Sequence, residues 1–247
     1  MSDLWGRYTK SLEKYIDNST VKDLNYATHV SLKYKYIYIE TPKVACSTVK
    51  MTLQRLELED PDFTRDDFED LHRREYSPLL KLQQLPDFEK YFTRDDFYTF
   101  CFVREPYRRL LSCYLDKICQ PTNFKKMVLK SMGLDGSDVH HNISFSEFIS
   151  VVESQRPAEM DYHWRPQYYL TCQKNITYDY VGRLENFAAD FFEVGKKISP
   201  NFNQYYIPEI RHKTNANTLL HQYYNEDLYA RTYKIYEIDF MNFGYNK

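Results

Sequence analysis

YKYIYIETPKVACSTVKMTLQRLEL, residues 34–58, is the stretch from which the fold can be read. Residues 34–40 alternate aromatic or β-branched side chains, which is a strand pattern, and run into Thr41-Pro42, a turn signal. From Ser47 to Leu58 the apolar residues recur at helical spacing, and Ser47 and Thr48 are suited to cap the N-terminus. Strand, tight loop and helix in this order make a phosphate-site architecture. Backbone N–H groups from Val44 to Thr48 form an anion nest at the helix N-terminus, where the helix dipole also favours negative charge. Lys43 stands at the mouth of that nest, placed to neutralise charge on an atom bridging a donor and its leaving group.

The content differs from a nucleoside-triphosphate loop. That loop reads G-x-x-x-x-G-K-[ST], whereas residues 41–48 contain no glycine and the lysine precedes the turn. Glycine is scarce throughout, with 6 in 247 residues against 24 tyrosines, so the loop needs its backbone turn from other residues.

The pattern repeats downstream. FYTFCFV, residues 97–103, is a buried strand that stops at Arg104-Glu105-Pro106, and Pro106 suits the first turn of a helix. YRRLLSCYLDKI then carries an apolar stripe at Leu110, Leu111, Tyr114 and Ile118. Arg104 closes the strand and Ser112 lies one and a half to two turns along the helix, so both can converge on one tetrahedral anion; Arg108 shares the Ser112 face. Taken singly, each segment also reads as a plain capped helix with solvated basic side chains.

Residues 117–142, with Gly133 and Gly136, read as a mobile loop, and residues 144–154 as a helix. RPAEMDYHWRPQYYL reads as irregular chain that could line a cleft. Its aromatics, Tyr162, Trp164, Tyr168 and Tyr169, suit stacking on a sugar but fit a core better. YDYVGRLENF is a short strand turning into a helix through about Ile198, and residues 217–240 have helical periodicity. The near-match of DFTRDDF and YFTRDDF is two copies only and makes no solenoid. Alternating strands and helices predict an α/β fold: a single domain with a central, mainly parallel sheet flanked by helices and ligand sites beyond the carboxyl ends of the strands. A helical N-terminal extension is expected over 1–33 and the catalytic core over 34–247.

Apolar residues at 43% and charged ones at 28% exclude a disordered chain. A formal net charge of -2 provides no basic field for nucleic acid, so any anion site is local. The 5 cysteines are odd in number and lack C-x-x-C spacing, which predicts reduced thiols and no metal centre. No apolar leader or span of about 20 apolar residues is present, so a cytoplasmic protein is expected, with a Golgi-lumenal fragment separated from its anchor as the alternative. The three N-x-[ST] sequons carry no weight, and the oligomeric state is not legible.

Together, PKVACSTVK and VREPYRRLLSCY resemble the 5'-phosphosulfate loop and the 3'-phosphate site of sulfotransferases that use 3'-phosphoadenosine 5'-phosphosulfate (PAPS). The likeness is greatest to the carbohydrate branch with the HNK-1 and chondroitin/dermatan 4-O enzymes. DYHWRPQYYL, YDYVGRLENF, RHKT and the terminal NFGY are similar to that branch too, so the resemblance runs from about Tyr36 to the end. It implies a P-loop-like sulfotransferase fold and sulfuryl transfer from PAPS to a carbohydrate hydroxyl, with PAP as product; the lack of an apolar anchor segment leaves a small-metabolite hydroxyl as the alternative acceptor. It also implies that Lys43, Val44, Ala45, Cys46, Ser47 and Thr48 hold the 5'-phosphosulfate and Arg104 with Ser112 the 3'-phosphate. Arg211, Lys213 and Thr214 look like the basic segment that closes over PAP, and Arg183 belongs to the matching VGRLENF block, with a structural ion pair as its equal alternative. Sulfuryl transfer needs a base and, in principle, no metal. His72 in LHRREY and His163 in YHWRPQ are both candidates, and the sequence leaves the choice open. The rivals are an ATP-dependent small-molecule kinase, disfavoured by the missing glycines and by the absence of an obvious Mg-binding carboxylate after a strand, and a non-catalytic glycan- or nucleotide-binding relative.

Overall fold

The computed structural model describes residues 10–65, 68–93, 95–207 and 214–247. In chain order its principal elements are α1 (Val21–Ala27), β1 (Thr28–Ser31), β2 (Tyr36–Ile39), α2 (Cys46–Leu58), α3 (Phe68–His72), β3 (Tyr98–Val103), α4 (Pro106–Cys113), α5 (Asn123–Ser131), α6 (Phe145–Glu153), β4 (Tyr180–Arg183), α7 (Phe187–Ile198), α8 (Ala216–Tyr223) and α9 (Glu226–Phe243). The chain divides into two compact units, one of residues 1–103 and 167–212 and the other of residues 104–166 and 213–247.

The first unit carries the sheet, in the order β1-β2-β3-β4. β2, β3 and β4 run parallel and β1 pairs antiparallel to β2. The fold is therefore α/β with a mainly parallel sheet. β1 falls within the stretch read as a helical extension. Its Thr-His-Val-Ser sequence is buried at every position and gains full pairing to β2, so tertiary pairing decides a segment too short to show a period of its own.

Side chains alternate across the strands, and Tyr36, Tyr38, Phe100 and Phe102 share one apolar cluster with Val49, Leu53 and Leu56 of α2 and with Phe187, Phe191 and Val194 of α7. Tyr38 stacks on Phe100 with ring centroids 5.2 Å apart, and Phe102 meets Phe191 edge-on at 5.6 Å. Because β2 to β4 are parallel, the residues that follow Ile39 and the end of β4 at Arg183 lie at the same, carboxyl-terminal edge of the sheet.

The second unit is helical. Leu110 and Leu111 of α4 pack in one cluster with Phe148 and Val152 of α6, Leu220 of α8 and Tyr236 and Phe240 of α9. Trp164 is fully buried there; its indole N–H donates to Gln155 Oε1 at 2.9 Å, and its carbonyl accepts from the Tyr236 hydroxyl at 2.6 Å. It is core, not a stacking platform. The mobile loop expected over 117–142 contains α5 instead, capped by the Thr122 hydroxyl on the Lys125 N–H at 3.1 Å and anchored by buried Val128 and Leu129. The helical periodicity over 217–240 is carried by two helices, α8 and α9, separated where Asn225 caps the second on the Leu228 N–H. All five cysteines are free thiols, and among the described residues no helix is long and apolar enough to cross a membrane.

Candidate active site

α2 begins in an unusual way. Its N-cap is Ala45 in the left-handed region, with φ at 51°, and among the described residues no side chain caps it. Lys43, two residues earlier, is also left-handed with φ at 68°. Two non-glycine residues thus supply the backbone turn that glycines supply in a nucleotide loop, at a cost of about 1–2 kcal/mol each. Val44 between them buries its side chain in the core and pins the loop. Ser47 and Thr48, read as capping residues, lie inside the first helical turn instead, because the left-handed turn at Ala45 starts the helix one residue before Ser47. The first-turn amides point along the helix axis and the N-cap alanine has no side chain to cap them, which is the arrangement that receives an anion. Lys43 is half-buried at this loop. Burial pushes the Cys46 thiol up from the usual range, which disfavours its thiolate.

Behind the loop lies a chain of buried charge, every link of which has a defined donor. Arg74 Nη1 donates to His29 Nδ1 at 2.8 Å, and its Nη2 donates to the Thr28 carbonyl at 2.7 Å. A guanidinium has no acceptor, so His29 carries its proton on Nε2 and gives it to Glu40 Oε2 at 3.1 Å. Burial first, and then the Arg74 charge, push His29 down to about 3, which keeps it neutral. The same Glu40 oxygen accepts from Lys50 Nζ at 2.9 Å. Burial would raise the Glu40 carboxyl, but the Lys50 ammonium and the His29 hydrogen bond overcome it and hold Glu40 below the usual carboxylate range. Lys50, fully buried on α2, also reaches His72 Nδ1 at 2.8 Å, and His72 Nε2 lies 3.2 Å from Ser47 Oγ.

His163 is held differently. In the second unit its Nδ1 lies 2.8 Å from Asp161 Oδ1, which also accepts the His163 backbone N–H at 2.9 Å. Burial would raise Asp161, but its hydrogen bond and proximity to His163 keep it below the usual range, so it is an ionised acceptor. Nδ1 therefore carries the proton and Nε2 the lone pair. The ring packs edge-on to Phe124 at 4.5 Å and keeps 23% of its side-chain surface exposed.

The residues expected to hold the 3'-phosphate, Arg104 and Ser112, have their partners within the second unit. Ser112 is nearly buried on α4, and its hydroxyl accepts from Thr214 Oγ1 at 2.9 Å. Arg104 Nη2 donates to Asn217 Oδ1 at 3.1 Å. Thr214 and Asn217 bracket the start of α8, whose left-handed N-cap Asn215 makes no side-chain cap. The N-terminus of α4 itself is closed: the Glu105 carboxylate accepts from the N–H groups of Tyr107 and Arg108 at 2.9 and 3.0 Å and from Arg108 Nη1 at 3.0 Å. Arg108 is thereby tied to Glu105 rather than turned to Ser112, and the α4 amides are already occupied, so what this cluster can offer an anion is side chains. Arg183 ends β4 as an exposed residue, and its backbone N–H donates to Asp190 at 2.6 Å. Arg211 and Lys213 lie outside the described residues. No group of metal-ligand side chains occurs among the described residues.

Sequence reasoning passed over Glu40, Lys50, Asp161 and Asn217. Two of these had a local signal: Lys50 sits one turn after Ser47 on the same helix, and Asp161-x-His163 places a carboxylate within reach of an imidazole. Glu40 and Asn217 had none, because their partners are distant in sequence.

A left-handed loop opening a helix after a parallel strand, with a lysine at its mouth, is the kind of anion site found in group-transfer enzymes. The chain belongs to the sulfotransferase family, whose family model matches residues 26–246. It is 30% identical to human carbohydrate sulfotransferase 14 over 173 residues, covering 67% of this chain and 44% of that protein. It is also 30% identical to human carbohydrate sulfotransferase 9, covering 88% and 52%, and 29% identical to mouse carbohydrate sulfotransferase 8, covering 87% and 55%. The chain thus spans about half the length of these curated relatives. No solved structure matches it significantly.

Proposed function

We propose that this protein transfers a sulfuryl group from PAPS to a carbohydrate hydroxyl. The observation that carries the reading is the α2 N-terminus that opens on two left-handed, non-glycine residues, Lys43 and the N-cap Ala45, after a parallel strand in a chain of this family. The amides of Val44 to Thr48 with Lys43 hold the 5'-phosphosulfate; Arg104, Ser112 and Thr214, with Asn217 orienting Arg104, hold the 3'-phosphate. Arg183, Arg211 and Lys213 belong to the same reading through family resemblance. In the reaction one sulfur–oxygen bond, to the donor's 5'-phosphate, breaks as another forms to the acceptor hydroxyl, and the electron pair leaves on PAP. Lys43 offsets the charge that develops on the leaving oxygen.

The two histidines divide the remaining work by tautomer. His163 has a lone pair on Nε2 and a carboxylate behind Nδ1, the arrangement that lets an imidazole take a proton and stabilises the imidazolium formed. It is the base for the acceptor hydroxyl. His72 meets the Lys50 ammonium at Nδ1, so its Nε2 is a donor, and it serves the anion held by the loop. The acceptor class follows from relatives that carry carbohydrate in their names.

Isothermal titration with PAP and with ATP, without added metal, tests this. PAP binding is expected to weaken at least about tenfold in Arg104→Ala, which removes a charge-assisted hydrogen bond to phosphate, with little response to ATP in either protein. His163→Gln is expected to bind PAP normally and to lose about 10²–10⁴ in kcat. Magnesium-dependent ATP binding with no PAP binding would overturn the reading in favour of a kinase.

A further inference from the structure

We propose that Glu40 and Lys50 are positioning residues that lock His72 as its Nε2–H tautomer, making it a fixed hydrogen-bond donor beside the anion loop. This rests on the reading that the loop from Lys43 to Thr48 holds an anion. Lys50 is fully buried and lies 2.9 Å from the Glu40 carboxylate, so its ammonium is paired, and an ammonium has donors only. His72 Nδ1 at 2.8 Å must then accept. A neutral imidazole that accepts at Nδ1 carries its hydrogen on Nε2, and that hydrogen faces Ser47 Oγ, in the first turn of α2.

The lock is built in two layers. Glu40 is itself held by neutral His29, and His29 by Arg74, whose second nitrogen is fastened to the backbone carbonyls of Thr28 and Leu80 at 2.7 and 3.2 Å. Each proton position is imposed by the next group outward, ending at a guanidinium that cannot change its state. The backbone of His72 is fastened too, its carbonyl accepting from the Tyr26 hydroxyl at 3.1 Å. An anion on the α2 amides would meet the Ser47 hydroxyl and, through it or in its place, an imidazole N–H whose direction is already set. That is preorganised donation, which costs no reorganisation when charge arrives.

Nitrogen-15 correlation spectroscopy of the full chain labelled at histidine decides between the tautomers directly, with His72 assigned by the disappearance of its signals in His72→Gln. The expected spectrum of the unliganded protein shows neutral His72 protonated at Nε2 alone. An Nδ1–H form, a rapidly exchanging mixture or an imidazolium at neutral pH would overturn the proposal. Lys50→Arg, which keeps a buried cationic donor, is expected to preserve the Nε2–H signature; Lys50→Met is expected to release it to a mixture and to weaken PAP binding about tenfold. If Lys50→Met does not fold, the wild-type spectrum and Lys50→Arg still decide. A wild-type protein with the Nε2–H signature that fails to bind PAP would sink the sulfotransferase reading and leave the tautomer lock intact, so the two failures are distinguishable.

Discussion

The hydroxyls of Tyr36 and Tyr38 are buried under the sheet without a hydrogen-bond partner among the described residues. Each carries a desolvation cost of about 1–3 kcal/mol that its ring burial has to exceed. Tyr38→Phe keeps the stack on Phe100 and removes the unsatisfied oxygen, so chemical denaturation is expected to show it about 1 kcal/mol more stable than the parent. A decrease in stability would mean that the hydroxyl has a partner after all. Glu40, Lys50 and His29 are as deeply buried as the two tyrosines, yet every one of them is joined to another charge or donor. Replacing one member alone leaves its partner stranded at about 3–5 kcal/mol, which is why Lys50→Arg is the informative substitution.

Among the elements, β4 is positioned by a close approach. A Cβ at Gly182 would lie 2.3 Å from Cε1 of Phe102, whose ring crosses the paired position on β3. The ring is itself wedged against Phe187 and Phe191 of α7 and cannot retreat freely. Gly182→Ala is therefore expected to destabilise the protein by about 1–3 kcal/mol, read as a lower denaturation midpoint with an unchanged slope. The two strand-to-helix turns of the chain show how similar local patterns acquire different chemistry. The turn into α2 has an alanine at its N-cap, which offers its amides no side chain, whereas the turn into α4 closes its amides with Glu105. The first is the one proposed as an amide nest; the second delivers Arg104 and Ser112 as side chains to the start of α8.

For the whole molecule, the buried histidine makes stability depend on pH. His29 titrates near 6.5 when unfolded and near 3 when folded, so between these values the unfolded chain binds a proton that the native one does not. Its contribution is complete above about pH 6.5 and falls as pH drops toward 3, with a slope of at most about 1.4 kcal/mol per pH unit. Glu40, depressed by Lys50 and His29, adds a decrease in the same direction once pH falls below the ordinary carboxylate range. Denaturation midpoints measured from pH 7 to pH 4 are expected to decline steadily, and His29→Gln is expected to flatten the upper part of that decline; a flat wild-type profile would refute neutral burial. What residues 34–58 and 97–112 determined by themselves was the order of strand, turn and helix and the choice of residues proposed to bind the anions. Those depend on local periodicity and on neighbours three or four residues apart. The edge strand β1, the left-handed turn made without glycine and the buried Arg74, His29, Glu40 and Lys50 chain that reaches His72 were decided only by tertiary structure. β1 owes its pairing, and each of the others its hydrogen-bond partners or backbone angles, to packing around it, and a proton's place on an imidazole is set by the groups that surround the ring in space.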